Sequence, residues 1–497
     1  MSDSYYDIIV VGTEVTGLIS AAMLAKKGYR VLVVGHGARE NAFDFEGHSF
    51  IRRPWMFQGF ETSAAIKKVF VELALSLEMH NRPKPFDPFF QVVLPNHRLD
   101  VVAQEDQLKR ELKREFPNDL KEIDAFYKAI NACDQRLAEA LNSPEVLPPD
   151  GFMEQRTYKK VVEGLIGPHG QTTDPLASFP TRHPFRNFIL APVLMSTACD
   201  LAPYAPLQMI RTTSHLRSGL FDVPGGIDGL KRMFIEKVKS NCGDYREKIV
   251  VDHCVMKRGR LREIVLRNRR EVIGCQAIIC NMDVKQFFQL IPQEDQKQRY
   301  HLKVLELQPS HFLYTINFAL RPGTLPMGMG QHVFVVGDNQ APLENDNLLL
   351  MSVNPNGPPT HESGADVVAV TARLNTRVVR PTLDNIANHN ERILARVCDT
   401  IPFFRENIVS QSSAWLTTDK RTGAPAIDTT EFIPVLGPPL EMTLQTSSVA
   451  SRTAYKNVVL AGDHLHGGLG FEGAFMGSLS VVQFVSDMVS RKSLINK

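Results

Sequence analysis

The N-terminal part of the chain contains two apolar runs separated by one helical pattern. Residues 8–11 form an unbroken apolar run, which predicts a buried parallel strand. Apolar residues then recur at helical spacing between positions 18 and 25, and a Lys-Lys-Gly sequence closes that helix at Gly28. A second run, Val31–Val34, predicts another strand. The pattern indicates a strand–helix–strand unit of about thirty residues, which holds dinucleotide phosphates against a helix N-terminus.

Two longer segments favour helices and an inserted domain. Residues 105–140 are strongly helical with mixed charge, and we expect them to begin a separate cap domain. Residues 187–218 are unusually apolar for a segment outside the first unit. We interpret them as the core of the cap domain. A wall for an apolar ligand and a membrane-facing patch are the alternatives.

The rest of the chain alternates short apolar runs with turns rich in proline and glycine. These runs predict hairpins and an antiparallel sheet. They cover residues 89–94, 97–102, 248–256, 261–268, 271–280, 312–319, 333–336, 348–353 and 367–372. A helix is expected over residues 385–399. A short strand over residues 457–461 precedes a glycine-rich loop and a last helix from about residue 473.

Composition and charge narrow the class of protein. The 497 residues suggest about two or three domains. The net charge of +2 offers no general electrostatic argument for a nucleic-acid partner. Seven cysteines without a C-x-x-C pair argue against a disulfide framework or a zinc site, and no metal site is expected.

Targeting signals are weak along the whole sequence. No signal peptide precedes the first strand, and the longest apolar candidate, residues 188–199, is broken by Pro192. A cytoplasmic location is expected, with peripheral membrane contact as a further possibility because apolar substrates partition into lipid.

The turn after the first strand carries an incomplete dinucleotide fingerprint. The pattern G-x-G-x-x-G is met at Gly12 and Gly17, but Glu14 occupies the middle position, where glycine lets the backbone approach a pyrophosphate. An acid that would hold ribose hydroxyls should follow the second strand, yet Gly35 and His36 stand there. The pattern clearly indicates the fold. The expected cofactor contacts at this end lack two residues, the central glycine and the acid.

Three separated blocks resemble one family. They are residues 6–35, residues 223–230 with the strands at 249–256 and 277–283, and residues 457–474, which read NVVLAGDHLHGGLGFEGA. In order and spacing they resemble the phytoene-desaturase-like FAD-dependent oxidoreductases of the amine-oxidase and glutathione-reductase-type group. The resemblance implies an α/β fold, in which a discontinuous Rossmann-like FAD-binding domain carries an inserted α+β substrate domain with an antiparallel sheet.

The resemblance also implies positions for FAD contacts. Val255 falls on the adenine-contact position, and Asp463 on the position that faces the ribityl chain and pyrophosphate. The full set of implied contacts is Gly12, Thr13, Glu14, Thr16, Gly17, Gly35, Val255, Gly462, Asp463, Gly470, Phe471, Glu472 and Ala474. No catalytic residue is assigned, because no Ser/His/Asp or Cys/His nucleophile set stands out.

Departures from the family pattern leave two functions open. Residues 37–42 replace the usual G-G-R-x segment, Gly467 replaces a proline, and Glu472 stands where a small or apolar residue is usual. The preferred interpretation is a FAD-dependent desaturase, dehydrogenase or isomerase acting on an apolar, isoprenoid or lipid-like substrate. The alternative is a binding or scaffold protein that has lost FAD and holds a lipid or a partner protein, as the Rab GDP-dissociation inhibitors do.

The predicted domains follow from these blocks. The FAD-binding domain is expected over residues 1–104, 219–300 and 410–497. A helical cap over residues 105–218 and a sheet over residues 301–409 would form the substrate domain. Glu472, at the start of the last helix, should be stabilised by the helix dipole, and a role near the flavin is a hypothesis.

Overall fold

The structure of the protein is a computed structural model. It describes residues 4–75, 83–141, 152–154, 156–157, 160, 174–198, 206–267, 271–307, 309–357, 364–437, 450–462 and 465–495. The helices are α1 Val15–Lys26, α2 Ala64–Glu72, α3 Glu105–Glu115, α4 Leu120–Leu141, α5 Pro184–Ser196, α6 Pro206–Arg217, α7 Gly226–Ser240, α8 Val284–Gln289, α9 Gln298–Leu305, α10 Leu383–Thr400 and α11 Gly470–Ile495. The strands are β1 Ser4–Val11, β2 Val31–Val34, β3 Ala42–Phe45, β4 His48–Ile51, β5 Lys84–Pro85, β6 Phe90–Leu94, β7 His97–Val101, β8 Phe221–Asp222, β9 Asp244–Arg246, β10 Val251–Lys257, β11 Arg260–Leu266, β12 Val272–Cys280, β13 Pro309–Leu320, β14 His332–Val336, β15 Asn345–Val353, β16 Asp366–Asn375, β17 Ile408–Ser412, β18 Leu416–Thr418, β19 Pro425–Ile427, β20 Val435–Leu436 and β21 Val458–Leu460.

The first sheet is built around the N-terminal strand. Its order is β10-β11-β12-β1-β2-β9, with β21 beside β12. Strands β9, β2, β1, β12 and β21 run parallel, and β10 and β11 add an antiparallel hairpin to β12. Helix α1 is apolar on nearly every side because it packs against both α7 and α11. This is the discontinuous Rossmann-like domain that the sequence predicted.

The second sheet is mostly antiparallel. Its order is β17-β13-β16-β15-β14-β6-β7, with β20 beside β13, and only β6 and β14 pair in parallel. Helix α10 supplies apolar residues to the core on one face of this sheet. The predicted fold class, an α/β nucleotide-binding domain with an inserted α+β domain, is confirmed.

Sheet membership differs from the predicted domain limits at two places. The hairpin β6–β7 lies before residue 104, yet it joins the second sheet through β14. Strand β17 crosses residue 410 and β20 lies after it, yet both pair with β13. By sheet membership the substrate domain therefore takes chain from both flanking segments.

The cap helices bury the apolar segment that the sequence singled out. In the described part of residues 187–218, the large apolar side chains lie in one core together with Phe116, which follows α3, and aromatic residues of α4. Pro192 lies inside α5 and does not break it, contrary to the sequence expectation. The segment is cap core, so its described side chains form no exposed membrane-facing patch.

The apolar stretch best suited by composition to span a bilayer is Gly467–Val489, which largely coincides with α11 and was not singled out from the sequence. Its most apolar window is 72% buried inside the fold. That burial is what the core helix of a globular domain shows.

Candidate functional site

The carboxyl edge of the first sheet gathers four chain segments. Strands β1, β2, β12 and β21 run parallel, and Gly12, Gly35, Asn281 and Gly462 follow them at or near this edge. Ligands of open α/β sheets bind in the crevice outside these strand ends. Segments of all three family-like blocks therefore meet where a dinucleotide would lie.

Gly12 and Gly17 are required by the close approach of Asn281. Gly12 has a φ of +106°, and a Cβ there would overlap the Asn281 carbonyl oxygen. A Cβ on Gly17 would overlap the Asn281 side chain. The Asn281 amide accepts from Gly17 N–H (3.0 Å) and donates to the Glu14 carbonyl (2.8 Å), so it clasps the N-terminus of α1. The two glycines of the fingerprint thus have a packing reason that is independent of a ligand.

The remaining fingerprint residues lie around this clasp. Thr13 and Glu14 are half-buried at the start of α1, and the Glu14 side chain does not cap the helix. Thr16 is fully buried, and its Oγ1 has no hydrogen-bond partner among the described residues. Since Asn281 takes the N–H of Gly17, the N–H groups of Val15 and Thr16 are the first-turn donors left without an intrahelical acceptor.

The end of β2 is closed by histidine where an acid was expected. Gly35 N–H donates to the Arg246 carbonyl (2.9 Å), and His36 Nδ1 accepts from Val251 N–H (2.9 Å). Burial, with a smaller effect of Arg267, lowers the pKa of His36, so the imidazole is neutral at pH 7. This edge offers a neutral group to a ribose in place of a carboxylate.

The predicted adenine-contact position lies on β10. Val255 pairs with Glu263 in the β10–β11 hairpin, whereas Val251 is the β10 residue bonded to His36 at the end of β2. An adenine contact at Val255 stays a prediction.

The segment that replaces G-G-R-x is fixed by other parts of the fold. Arg39 pairs with Asp428 and Glu431, at 2.8 and 2.6 Å. The N–H groups of Asn41 and Ala42 both donate to the Asp228 carboxylate, each at 3.0 Å. This segment therefore connects α7 to the region after β19.

The N-terminus of α11 is closely packed against the cap. Gly470 has a φ of +56°, and a Cβ there would overlap the carbonyl oxygen of Ser196 at the end of α5. Phe471 packs against Phe57 and Phe60, with ring centroids 5.3 and 5.5 Å away. Ala474 and Gly462 are also buried. Asp463, the carboxylate of the C-terminal block, lies outside the described residues.

Glu472 is held in a buried charge cluster with the cap helices. Arg211 of α6 donates to both carboxylate oxygens, at 2.9 and 2.7 Å, and His215 Nε2 lies 2.8 Å from Oε2. Arg211 also bonds Asp134 of α4, at 3.0 and 3.2 Å. Glu472 is 2% exposed and Arg211 3%. The helix dipole is thus only part of what stabilises the Glu472 carboxylate.

The neighbouring charges determine the ionisation states of Glu472 and Arg211. Burial alone would raise the pKa of Glu472, but His215 and Arg211 hold it well below its usual range. Burial likewise opposes the Arg211 charge, and the two carboxylates raise the pKa of that guanidinium. Because Glu472 is anionic and only accepts, His215 Nε2 carries a proton, and Nδ1 faces the Thr62 hydroxyl at 2.5 Å.

Sequence reasoning did not identify Asp134, Arg211 or His215. Arg211 and His215 stand four residues apart in a helix that is largely buried, so they share one face of α6. Charged residues that are buried usually have a partner. That spacing was the available signal, but it does not reveal that the partner is Glu472.

Buried polar atoms without a partner surround the N-termini of α1 and α11. Among the described residues they include Thr16 Oγ1, both amide atoms of Gln58, Gln208 Nε2 and Thr212 Oγ1. A Cβ on Gly470 would lie 3.2 Å from Gln58 Nε2, and one on Gly477 would lie 3.3 Å from Thr16 Cγ2, so two of these side chains border α11. Gln208 and Thr212 share the α6 face that carries Arg211 and His215.

This cradle suits a polar cofactor. Folded proteins leave few buried polar atoms without a partner, and each such atom calls for an explanation. Here several lie beside two helix N-termini, which favour anionic and hydrogen-bond-accepting groups. The residues present therefore fit FAD, with contacts at the adenosine end that differ from the usual acid and central glycine.

Comparisons with known proteins agree with this geometry. No family model matches the chain. Prolycopene isomerase 1 of an Oncidium hybrid cultivar is 26% identical over 361 residues, which cover 68% of this chain and 59% of that protein. Phytoene desaturase (neurosporene-forming) of Cereibacter sphaeroides is 27% identical over 125 residues, 24% of each protein. The chain thus aligns with less than two thirds of the length of these curated relatives.

Solved structures show the same fold at low identity. An oxidoreductase from Methanosarcina mazei has a TM-score of 0.61 at 14% identity, over 96% of this chain and 100% of that one. Putrescine oxidase bound to putrescine has a TM-score of 0.57 at 13% identity, over 98% and 99% of the two chains. The chain is a distant homologue of the prolycopene isomerases and phytoene desaturases, with the fold of the amine-oxidase flavoproteins.

Proposed function

We propose that this protein binds FAD between the N-termini of α1 and α11 and isomerises or desaturates an apolar polyene. The observation that carries the proposal is that the carboxyl ends of β1, β2, β12 and β21 meet beside the N-terminus of α1, where two first-turn N–H groups lack an intrahelical acceptor. Members of the related families bind FAD, and the relatives are named for prolycopene and phytoene.

Residues from different parts of the chain would contribute to binding the cofactor. The first-turn N–H groups of Val15 and Thr16 would bind its phosphates, with Asn281 keeping the turn in place. Arg211 and His215 offset the Glu472 charge, so the carboxylate does not cancel the positive end of α11. When bound, FAD would supply the exchange of electrons with the substrate.

The cap supports an apolar substrate. Its core contains Phe116, Phe185 and Phe188 and continues to Leu469 and Met476 on the α11 side of the site. A continuous apolar region that reaches the cofactor position excludes water and would border a hydrocarbon chain bound beside it. A charged amine would find no matching surface in this cluster.

A second candidate function rests on the tight contact between cap and loop. Ala198 N–H donates to the Gly467 carbonyl (2.9 Å), and Ser196 lies directly against Gly470. With Glu14 in the fingerprint, this packing favours a protein that has kept the fold without FAD and carries a lipid or partner protein. Colourless protein with an extractable apolar ligand would be its signature.

The test of the enzyme is a polyene assay. FAD-loaded protein is assayed in two states in detergent micelles: reduced anaerobically with a poly-cis polyene, where isomerisation needs no net oxidant, and oxidised with a more saturated precursor, where FAD accepts the two hydrogens that desaturation removes. The products are separated by chromatography. Conversion that requires both FAD and protein supports the proposal. Flavin-loaded protein that leaves both substrates unchanged would rule out this substrate class.

A further inference from the structure

The end of β2 lacks the acid that a dinucleotide site usually carries there. Gly35 follows the strand, and the next residue is the neutral His36, whose Nδ1 is taken by the Val251 N–H. In such sites that acid binds the 2′-hydroxyl of the adenosine ribose. A carboxylate for a ribose at this point would therefore have to come from another strand.

The neighbouring strand β9 ends beside Gly35, and an acid follows it. Strand β9 runs parallel to β2 with Arg246 opposite Val34, so Glu247 is the next residue along, opposite Gly35. Gly35 N–H donates to the Arg246 carbonyl at 2.9 Å. A Cβ on Gly35 would lie 3.5 Å from the Glu247 Cα. The backbone of Glu247 thus borders the place where an acid after β2 would begin.

The Glu247 side chain is open to solvent, so a ligand has room to reach it. The side chain is 61% exposed, and its ion-pair contact among the described residues is Lys248 at the long distance of 4.0 Å. Lys248, itself 85% exposed, has a φ of +55°, so the chain turns sharply just after Glu247. A fixed backbone therefore carries a carboxylate that no close partner within the described part of the chain occupies.

Two other acids lie near this edge and are less suited to a ribose. Burial, followed by Glu247 and Glu40, raises the pKa of Tyr245, so both carboxylates lie close to that hydroxyl. Glu40 belongs to a loop and lies 4.0 Å from Arg232. Asp252 is already bonded by two neighbouring side chains. Glu247 is the available acid that a strand end holds next to β2.

We propose that Glu247 binds the adenosine ribose of FAD, its carboxylate accepting from the 2′-hydroxyl, and so takes the role of the acid missing after β2. The inference deepens the proposed function and rests on it, since it requires FAD along the carboxyl edge of the first sheet. Glu247 is then a binding residue for the adenosine end of the cofactor, with no part in the redox step.

The experiment compares FAD with an analogue whose adenosine ribose lacks the 2′-hydroxyl. Dissociation constants are measured by fluorescence titration of flavin-free wild type, Glu247→Ala, Glu40→Ala and Glu391→Ala. Glu391 is the matched control, a glutamate of α10 whose side chain is 66% exposed. Wild type should bind FAD about tenfold or more tighter than the analogue, the scale of one hydrogen bond to a charged group. Glu247→Ala should bind FAD about tenfold more weakly and lose this preference, while the other two variants keep it.

A second readout does not use the flavin. An exposed side chain without a close partner contributes little to folding, so flavin-free Glu247→Ala should melt at the temperature of flavin-free wild type. Weaker FAD binding by Glu247→Ala with an unchanged preference for the 2′-hydroxyl would show that the acid does not contact the ribose, and would overturn the inference. A preference that is lost in Glu40→Ala and kept in Glu247→Ala would overturn it as well.

Failure of the inference is distinguishable from failure of the proposed function. Wild type that binds FAD and the 2′-deoxy analogue equally defeats the role of Glu247 alone. Wild type that binds neither flavin defeats the proposed function and, with it, this inference.

Discussion

Replacing Arg211 with methionine should destabilise the protein by about 3–5 kcal/mol, the usual cost of removing one partner of a buried ion pair. Methionine keeps most of the side-chain length and removes the positive charge. Glu472, 2% exposed, then keeps only His215 as a cationic or donor side chain, and Asp134 loses both bonds from Arg211. Two carboxylates would face each other across a buried site without the cation between them.

The magnitude follows from the contacts that are lost. Four charge-assisted bonds at roughly 1.5–3 kcal/mol each would sum to more than the expected effect. Asp134 retains some contact with water and the Ser214 hydroxyl at 2.7 Å, which offsets part of its loss. The Glu472 side of the cluster therefore accounts for most of the destabilisation.

The assay is urea unfolding at pH 7 followed by circular dichroism. Arg217→Met is the matched control, because Arg217 lies on the same helix and its contacts are weak: the Tyr127 ring at 4.4 Å, Asn131 Oδ1 at 3.5 Å and the exposed Glu105 at 3.8 Å. It should cost under about 1 kcal/mol. Adding Glu472→Gln to Arg211→Met should recover at least about 1 kcal/mol, since the buried charge is gone. An Arg211→Met effect no larger than that of Arg217→Met would refute the reasoning.

Three further outcomes are expected. Because the folded pKa of Glu472 lies below the ordinary value of 4.5, its contribution to stability is complete above that pH and is lost as pH falls towards the folded pKa. The difference in unfolding free energy between wild type and Glu472→Gln, measured from urea unfolding midpoints, should therefore be constant above pH 4.5 and decrease below it. A difference that increases on acidification would contradict this prediction. Gly12→Ala should prevent stable folding, because the new Cβ overlaps Asn281. Gly28→Ala, at a φ of +88° but with open space around the new Cβ, should cost only about 1 kcal/mol of stability. Equal melting temperatures for the two variants would contradict this prediction. Asn281→Ala should lower thermal stability and weaken FAD binding together, since α1 loses the clasp at its N-terminus; weaker FAD binding at unchanged stability would mean that Asn281 contacts only the ligand.

Local patterns were enough to predict the first sheet. The strand–helix–strand unit is readable because β1 and β2 are buried on both faces and α1 is apolar all round. The second sheet was also predicted as antiparallel from the length and spacing of its apolar runs. In each case the signal lies within about ten residues of sequence.

Pairings between distant segments could not be predicted in the same way. The β6–β7 hairpin pairs with β14, which lies some 240 positions away in the sequence. The alternation of apolar and polar residues within the hairpin does not indicate which strand it will pair with. Arg211 and Glu472 are 261 residues apart. The position of Gln58 depends on the approach of Gly470, and a lone glutamine between aromatic residues carries no periodic signal.

Flavin retention tests the central claim most directly. Wild type and Thr16→Val are incubated with excess FAD, desalted, and compared by absorbance spectrum and melting temperature. Valine preserves the shape of threonine and removes the buried hydroxyl that has no partner. The account predicts near-stoichiometric flavin bands for wild type, and weaker retention by a Thr16→Val variant that is at least as stable without FAD. Wild type that emerges colourless after incubation with FAD would contradict it.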